Sequence, residues 1–242
     1  MIEIRELSKF YGDRQVLHGL SFRARAGEVT AFLGPNGAGK STTLRIALGL
    51  AAADSGAVTF DGEAYARLAR PAATVGSLLS PEFLPPHLTG RQHLRWFAAA
   101  SALEPSRISV VLDVVEMAQA ADRRIGDYSL GMRQRLGLAC ALLGDPSHLV
   151  LDEPVNGLDP AGVRWLRDLL AGFAEDGRAV LVSSHLLSEV ELLADRVVVI
   201  SEGRLLADGP LADVTAGTNL EEQYLSLTEK APQVEKSERP ER

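Results

Sequence analysis

The run Gly34-Pro35-Asn36-Gly37-Ala38-Gly39-Lys40-Ser41-Thr42 constrains this chain more than any other stretch. Its spacing is glycine, four residues, then Gly-Lys-Ser or Gly-Lys-Thr. A short β-type segment, Glu28-Val29-Thr30-Ala31-Phe32-Leu33, precedes it, and a helical one, residues 43–50, follows. A strand that turns through such a loop into a helix surrounds an anion with backbone N–H groups, and the helix adds its positive end. Glycines let the main chain come close with no Cβ in the way. Lys40 is then placed for the β and γ phosphates of a nucleotide, and the Ser41 hydroxyl for Mg²⁺. Lysine is otherwise scarce, at Lys9, Lys230 and Lys236 alone. A compact, rotatable ammonium stands where a phosphate needs one. A functionless glycine-rich turn has the same composition, but the strand and helix on either side favour the phosphate loop.

Composition narrows the class. The 242 residues suffice for one large domain or two small ones. A net charge of −7 weighs against broad nucleic-acid binding. No stretch approaches the roughly 18 apolar residues that span a bilayer. Met1-Ile2-Glu3-Ile4-Arg5 alternates and lacks the apolar centre of a signal peptide, so a cytoplasmic location is expected. The lone Cys140 excludes an internal disulfide; in an apolar helical run it reads as a buried structural thiol.

Along the chain, residues 1–6, 16–25 and 56–60 have strand character, and Asp61-Gly62 is a hairpin-type turn signal. The middle is helical. Thr89 and Gln92 form a capping-box pair ahead of Leu94, Phe97 and Ala98. Ser106 is the expected cap of a helix that buries Ile108, Val111, Leu112 and Val115. Ser129 is the expected cap of one carrying Leu136, Ala139, Leu142 and Leu143. Then strand and helix alternate. Residues 148–151, 179–182 and 197–200 read as buried parallel strands, 163–173 and 186–194 as helices, with a turn at Glu202-Gly203. From residue 229 the composition is polar and charged, and a disordered tail is expected.

The strand at 148–151 ends in Asp152-Glu153-Pro154. Ligands sit at the C-terminal edge of an open α/β sheet, which is where these carboxylates fall. Asp152 is suited to Mg²⁺, and Glu153 to orienting or deprotonating a water. Alone, such a pair is as readily a solvated surface pair; beside a phosphate loop the functional role is favoured. His185 ends another buried strand within reach of a γ-phosphate, although a lone His there is more often a capping or packing residue. Tyr11 can stack on a base, but beside Phe10 the residues alone favour core packing.

The order of residues 34–42, Tyr128-Ser129-Leu130-Gly131-Met132-Arg133-Gln134-Arg135, Leu151-Asp152-Glu153-Pro154, Gly157-Leu158-Asp159 and His185 resembles the ATP-binding subunit of ABC transporters. The resemblance covers residues 1–227. Pro86-His87-Leu88-Thr89-Gly90 and the run at 128–132 are most similar to bacterial exporters of the bacitracin- and lantibiotic-resistance type. It implies an α/β fold: a P-loop NTPase core with a parallel sheet, an N-terminal antiparallel β subdomain and a helical subdomain inserted at about 81–142, within a domain of residues 1–228.

The resemblance also implies roles. Gly34, Pro35, Asn36, Gly37, Ala38, Gly39, Lys40, Ser41 and Thr42 hold the phosphates of ATP. Ser41 and Asp152 serve Mg²⁺, Glu153 is the catalytic base, and His185 senses the γ-phosphate. Tyr11 matches the adenine-stacking aromatic and Asp159 the D-loop aspartate. Ser129 and Gly131 belong to the signature that meets the ATP of a second copy. The implied partners are that second subunit and a separate membrane permease, which places the protein on the inner face of the membrane. Two departures stand out. Leu130 and Met132 replace Gly and Gln of the usual Leu-Ser-Gly-Gly-Gln, and Ser80 falls where a Mg²⁺-touching Gln is usual.

Two other classes compete. A soluble ATPase of this kind acting on DNA or the ribosome usually carries a coiled-coil insert or two fused halves, and this chain has neither. A P-loop kinase or GTPase would not need the run at 128–132 or His185.

Overall fold

The computed structural model describes residues 1–79, 84–215 and 217–229. Ser80 and the tail from residue 230 lie outside the described residues. Two sheets organise the chain. β1 (Ile2–Tyr11), β2 (Arg14–Ala24) and β4 (Ser55–Phe60) form an antiparallel sheet in the order β2-β1-β4. β3 (Val29–Leu33), β5 (Val75–Leu78), β6 (His148–Asp152), β7 (Ala179–Ser184), β8 (Arg196–Ser201) and β9 (Arg204–Pro210) form the second, ordered β5-β6-β7-β3-β8-β9. Only the β8–β9 pairing is antiparallel there.

The central residues of β3, β6, β7 and β8 are largely apolar because both faces of the sheet are covered. Phe32, Val150, Leu181, Val198 and Ile200 pack with the antiparallel sheet and with α1 (Lys40–Ala47). On the opposite face, Leu149, Leu151, Val180 and Val182 meet α5 (Leu130–Leu142) and α6 (Pro160–Glu175). Farther along it, Ala31, Leu33, Val197 and Val199 meet α7 (Leu187–Leu193) and residues of α8 (Leu211–Thr215) and α9 (Leu220–Glu229). This alternation is the period-two signature of strands covered on both sides. No described helix is long and apolar enough to cross a membrane.

Between β5 and β6 the chain passes through α3 (Gly90–Ala100), α4 (Arg107–Val114) and α5. α3 begins as expected, with both bonds of the Thr89–Gln92 capping box made. α4 corrects the expectation for Ser106. That residue is already in helical conformation, and its side chain caps nothing. The bonds from Arg107 N–H to Glu104 and from Ile108 N–H to Pro105 show why: the turn starts earlier, at the proline. At the end of β4, Asp61 and Gly62 both take positive φ, and the N–H of Phe60 and of Glu63 each bond the other's carbonyl. The turn of a hairpin forms, but the hairpin stops at the single Phe60–Glu63 bridge, and a 3₁₀ turn at Tyr65–Arg67 follows in place of a second strand. Four elements exceed the sequence expectations: β5, the short helix α2 (Pro71–Thr74) ahead of it, α8 and α9.

Candidate nucleotide site

The register of the parallel sheet assembles the site. Asp152 pairs with Ser183, Phe32 with Ser183 and Leu33 with Ser184, so the ends of β6, β7 and β3 share one edge. The phosphate loop leaves β3 there. Gly39, the N-cap of α1, has φ +107 and no side-chain cap bond, so the first N–H groups of the helix face the loop. A Cβ on Gly39 would lie 2.6 Å from Leu17 Cδ2 of β2. Glycine is required by both conformation and space. The loop is braced from outside: the N–H of Gly203, in the turn between β8 and β9, donates to the Ala38 carbonyl at 2.9 Å.

Lys40 is only 6 % exposed. Its Nζ donates to the Gly34 carbonyl at 2.6 Å and lies 3.8 Å from Glu153 Oε1. Burial pushes the ammonium below its ordinary value, and the Glu153 and Asp152 carboxylates oppose that push. Thr43 Oγ1 donates to the Gly39 carbonyl and ties the first turn. Ser41 is exposed at the helix head and Thr42 half-buried beside it.

Opposite the loop stands the acidic pair. Ser183 Oγ donates a short bond to Asp152 Oδ1. Glu153 has φ +50, and its N–H donates to the Ser183 carbonyl at 3.2 Å and to Ser183 Oγ at 3.0 Å. The Glu153 carboxylate lies between two bases: Oε1 faces Lys40, and Oε2 lies 2.7 Å from His185 Nδ1. His185 is 43 % exposed in its side chain. It neither caps nor packs, which corrects the default for a lone histidine.

The structure thus gathers residues 34–42, Asp152, Glu153 and His185 at one sheet edge. Tyr11 lies at the turn end of the β1–β2 hairpin, paired with Arg14, and β2 runs on from there to Val16 and Leu17, which border Gly39 of the loop. Tyr11 is 51 % exposed, so core packing is overturned; one face of its ring carries Lys9 Nζ, 5.4 Å from the centroid. An edge hairpin leaves its last side chains in solvent whatever their neighbours are.

Ser129, Gly131 and Asp159 are not brought to the loop. Ser129 caps α5, its Oγ accepting from Met132 N–H at 3.2 Å. Asp159 caps α6 through Gly162 N–H at 2.8 Å. The two caps lie together: a Cβ on Gly131 would come within 2.9 Å of the Gly157 carbonyl, and the Leu130 side chain covers Gly157. Leu130 is 50 % exposed.

Sequence reasoning missed Ser183 and Gln134. Ser183 is a fully buried hydroxyl at the end of an apolar strand, and that misplaced polarity was the available signal. Gln134 is buried on the apolar side of α5, and its Nε2 donates to the Glu153 carbonyl at 3.2 Å. Cys140 is a half-buried residue of the same helix, and burial pushes its thiol up to about 12.

Comparison with known proteins agrees with this geometry. Residues 17–156 match the model of the ABC transporter family. The lantibiotic transport ATP-binding protein SrtF of Streptococcus pyogenes is 37 % identical over 93 % of this chain and 96 % of its own length. The bacitracin transport ATP-binding protein BcrA of Bacillus licheniformis is 38 % identical over 87 % of this chain and 70 % of its own. A solved ATP-binding subunit of an ABC transporter superposes with a TM-score of 0.85 at 30 % identity, covering 94 % of this chain and 99 % of that one. With the phosphate loop and the carboxylate pair inside the matched region, the chain belongs to the ABC transporter family, as an ATP-binding subunit and ATPase.

Proposed function

We propose that this subunit powers export, through a separate permease, of a drug-, peptide- or lipid-like substrate. The transport names of the relatives support this over a DNA- or ribosome-directed role. The proposed unit is residues 1–228 with a helical insert at about 81–142. Docking on the permease would hold it at the inner face of the membrane.

One observation carries the mechanism: Glu153 is held between Lys40 and His185, while the Ser129 hydroxyl is engaged at the head of its own helix. Bound ATP gives Lys40 the phosphates as its anionic partner, in place of Glu153. Glu153 Oε1 is then free to take a proton from the attacking water, and His185 holds the other oxygen. Tyr11 offers its ring to the adenine. Mg²⁺ supplies charge neutralisation on the phosphates when bound. Ser41, exposed at the helix head, and Asp152, oriented by Ser183, fit it. Among the described residues no group of three acidic, His or Cys side chains forms a metal cage.

Ser129 and Gly131 cannot close the site of their own chain, so two subunits pair head to tail and each completes the other's. Asp159 then lies at the joint between them. The Glu153→Gln variant is expected to bind ATP, stop turning over and accumulate as a dimer. Turnover at the wild-type rate would refute the role of Glu153. Copurification from membranes with a membrane-spanning partner tests the permease.

A further inference from the structure

One buried polar side chain has no part in the cycle just described. Gln134 is 2 % exposed among the apolar residues of α5. Its Nε2 donates to the Glu153 carbonyl at 3.2 Å and reaches the Pro154 carbonyl at 3.5 Å. Its Oε1 is buried with no partner among the described residues. Leaving a buried acceptor unmet is costly. A methionine would fill a similar volume without that cost. What the amide adds is its donor, aimed at the backbone of the catalytic glutamate.

Glu153 needs such a hold. Its φ of +50 lies in the left-handed region, which non-glycine residues occupy only when their surroundings enforce it. Ser183 ties the peptide before Glu153, through its carbonyl at 3.2 Å and its hydroxyl at 3.0 Å. The peptide after it is held through its carbonyl by two donors, Asn156 N–H at 3.1 Å within the local turn and Gln134 Nε2 at 3.2 Å from α5. With both flanking planes anchored, the backbone cannot relax, and the carboxylate stays between Lys40 Nζ and His185 Nδ1. With the Gln134 donor gone, the second plane keeps only the Asn156 bond of its own local turn, loses its tie to α5, and lets the carboxylate shift off the line of attack.

We propose that Gln134 is a positioning residue for Glu153. The inference rests on Glu153 being the base. It gives the signature helix a second role. The helix whose first turn carries Ser129 for a partner's ATP also holds, five residues on, the base that serves its own. A shift of α5 on pairing is therefore felt at Glu153.

The test uses the full chain, with ATP turnover and the Kd of a non-hydrolysable ATP analogue as paired readouts. Gln134→Met is expected to lower kcat about tenfold and leave Kd within about twofold, since misplacement of a reacting group acts on the transition state. Gln134→Glu adds a readout that a packing role does not move. At about pH 8 its carboxylate cannot donate; near pH 6 a buried carboxyl regains its proton and with it the donor. Its kcat relative to wild type is expected to rise on acidification. Wild-type kcat for Gln134→Met overturns the inference, as does a Kd that weakens in step with kcat. If Gln134→Met does not fold, a flat Gln134→Glu to wild-type ratio across pH overturns it. Glu153→Gln is measured alongside. If that variant turns over normally, the base is wrong; if it is silent while Gln134→Met is normal, only the role of Gln134 falls.

Discussion

The two halves of the nucleotide machinery are built differently. The phosphate-loop half is buried and cross-braced: Lys40 is nearly enclosed, Gly203 bonds the loop from behind, and Ser183 and Gln134 hold the acidic pair. The signature half is exposed and capped only by itself, with Ser129 on Met132 and Leu130 half in solvent over Gly157. A preorganised half can bind ATP alone. An exposed half leaves its surface open to a second chain, as the proposed pairing requires. The contrast is why the proposed site belongs to two chains.

The contrast can be broken from either side. The largest effect is expected behind the loop, where Phe32 is fully buried and its ring centroid lies 4.9 Å from that of Phe22. Phe32→Ala should cost about 3–5 kcal/mol, read by denaturant unfolding, and should weaken ATP binding with it. Next comes Lys40→Ala, expected to cut turnover by about 10²–10³-fold through loss of charge stabilisation in the transition state, measured by phosphate release. On the signature side the same experiments should show little. Ser129→Ala removes one cap and should cost about 1 kcal/mol of stability, with nucleotide affinity of the isolated chain unchanged. Leu130→Ala should stay within about 0.5 kcal/mol, as for an ordinary surface position. A large stability loss at Leu130 would show that the signature half is also prebuilt.

Acidity offers a control away from both halves. His93 and His148 are held below the usual imidazole value. Burial is the cause at His93. At His148 burial comes first and the Met1 ammonium second, against an opposing pull from Asp61. The unfolded chain therefore binds protons below about pH 6.5 that the fold refuses. Stability from these two residues is complete above that pH and declines as pH falls toward their folded values. Thermal melts should show Tm dropping on acidification, and His148→Gln should flatten part of the slope.

Much of the site was legible because it is local. The phosphate loop, Asp152-Glu153 and the Thr89–Gln92 cap each depend on residues a few positions apart. What escaped depends on distance along the chain. Gln134 meets Glu153 only because α5 packs against the end of β6. Ser183 acts on Asp152 only through sheet register. Tyr11 was misjudged because its neighbour Phe10 says nothing about which end of the hairpin reaches solvent. β5 is too short, and too interrupted by Gly76 and Ser77, to show a periodicity. Ser106 was misjudged because Pro105 starts the turn one residue ahead of it.

Mixing two crippled chains tests the division into halves most directly. Lys40→Ala lacks a working phosphate loop, and Ser129→Arg lacks a working signature; each alone should be nearly inactive. When subunits pair at random, half of the dimers carry one intact composite site of the two, so activity should return to on the order of a quarter of wild type. A mixture that stays as inactive as its components would contradict a site shared between two chains.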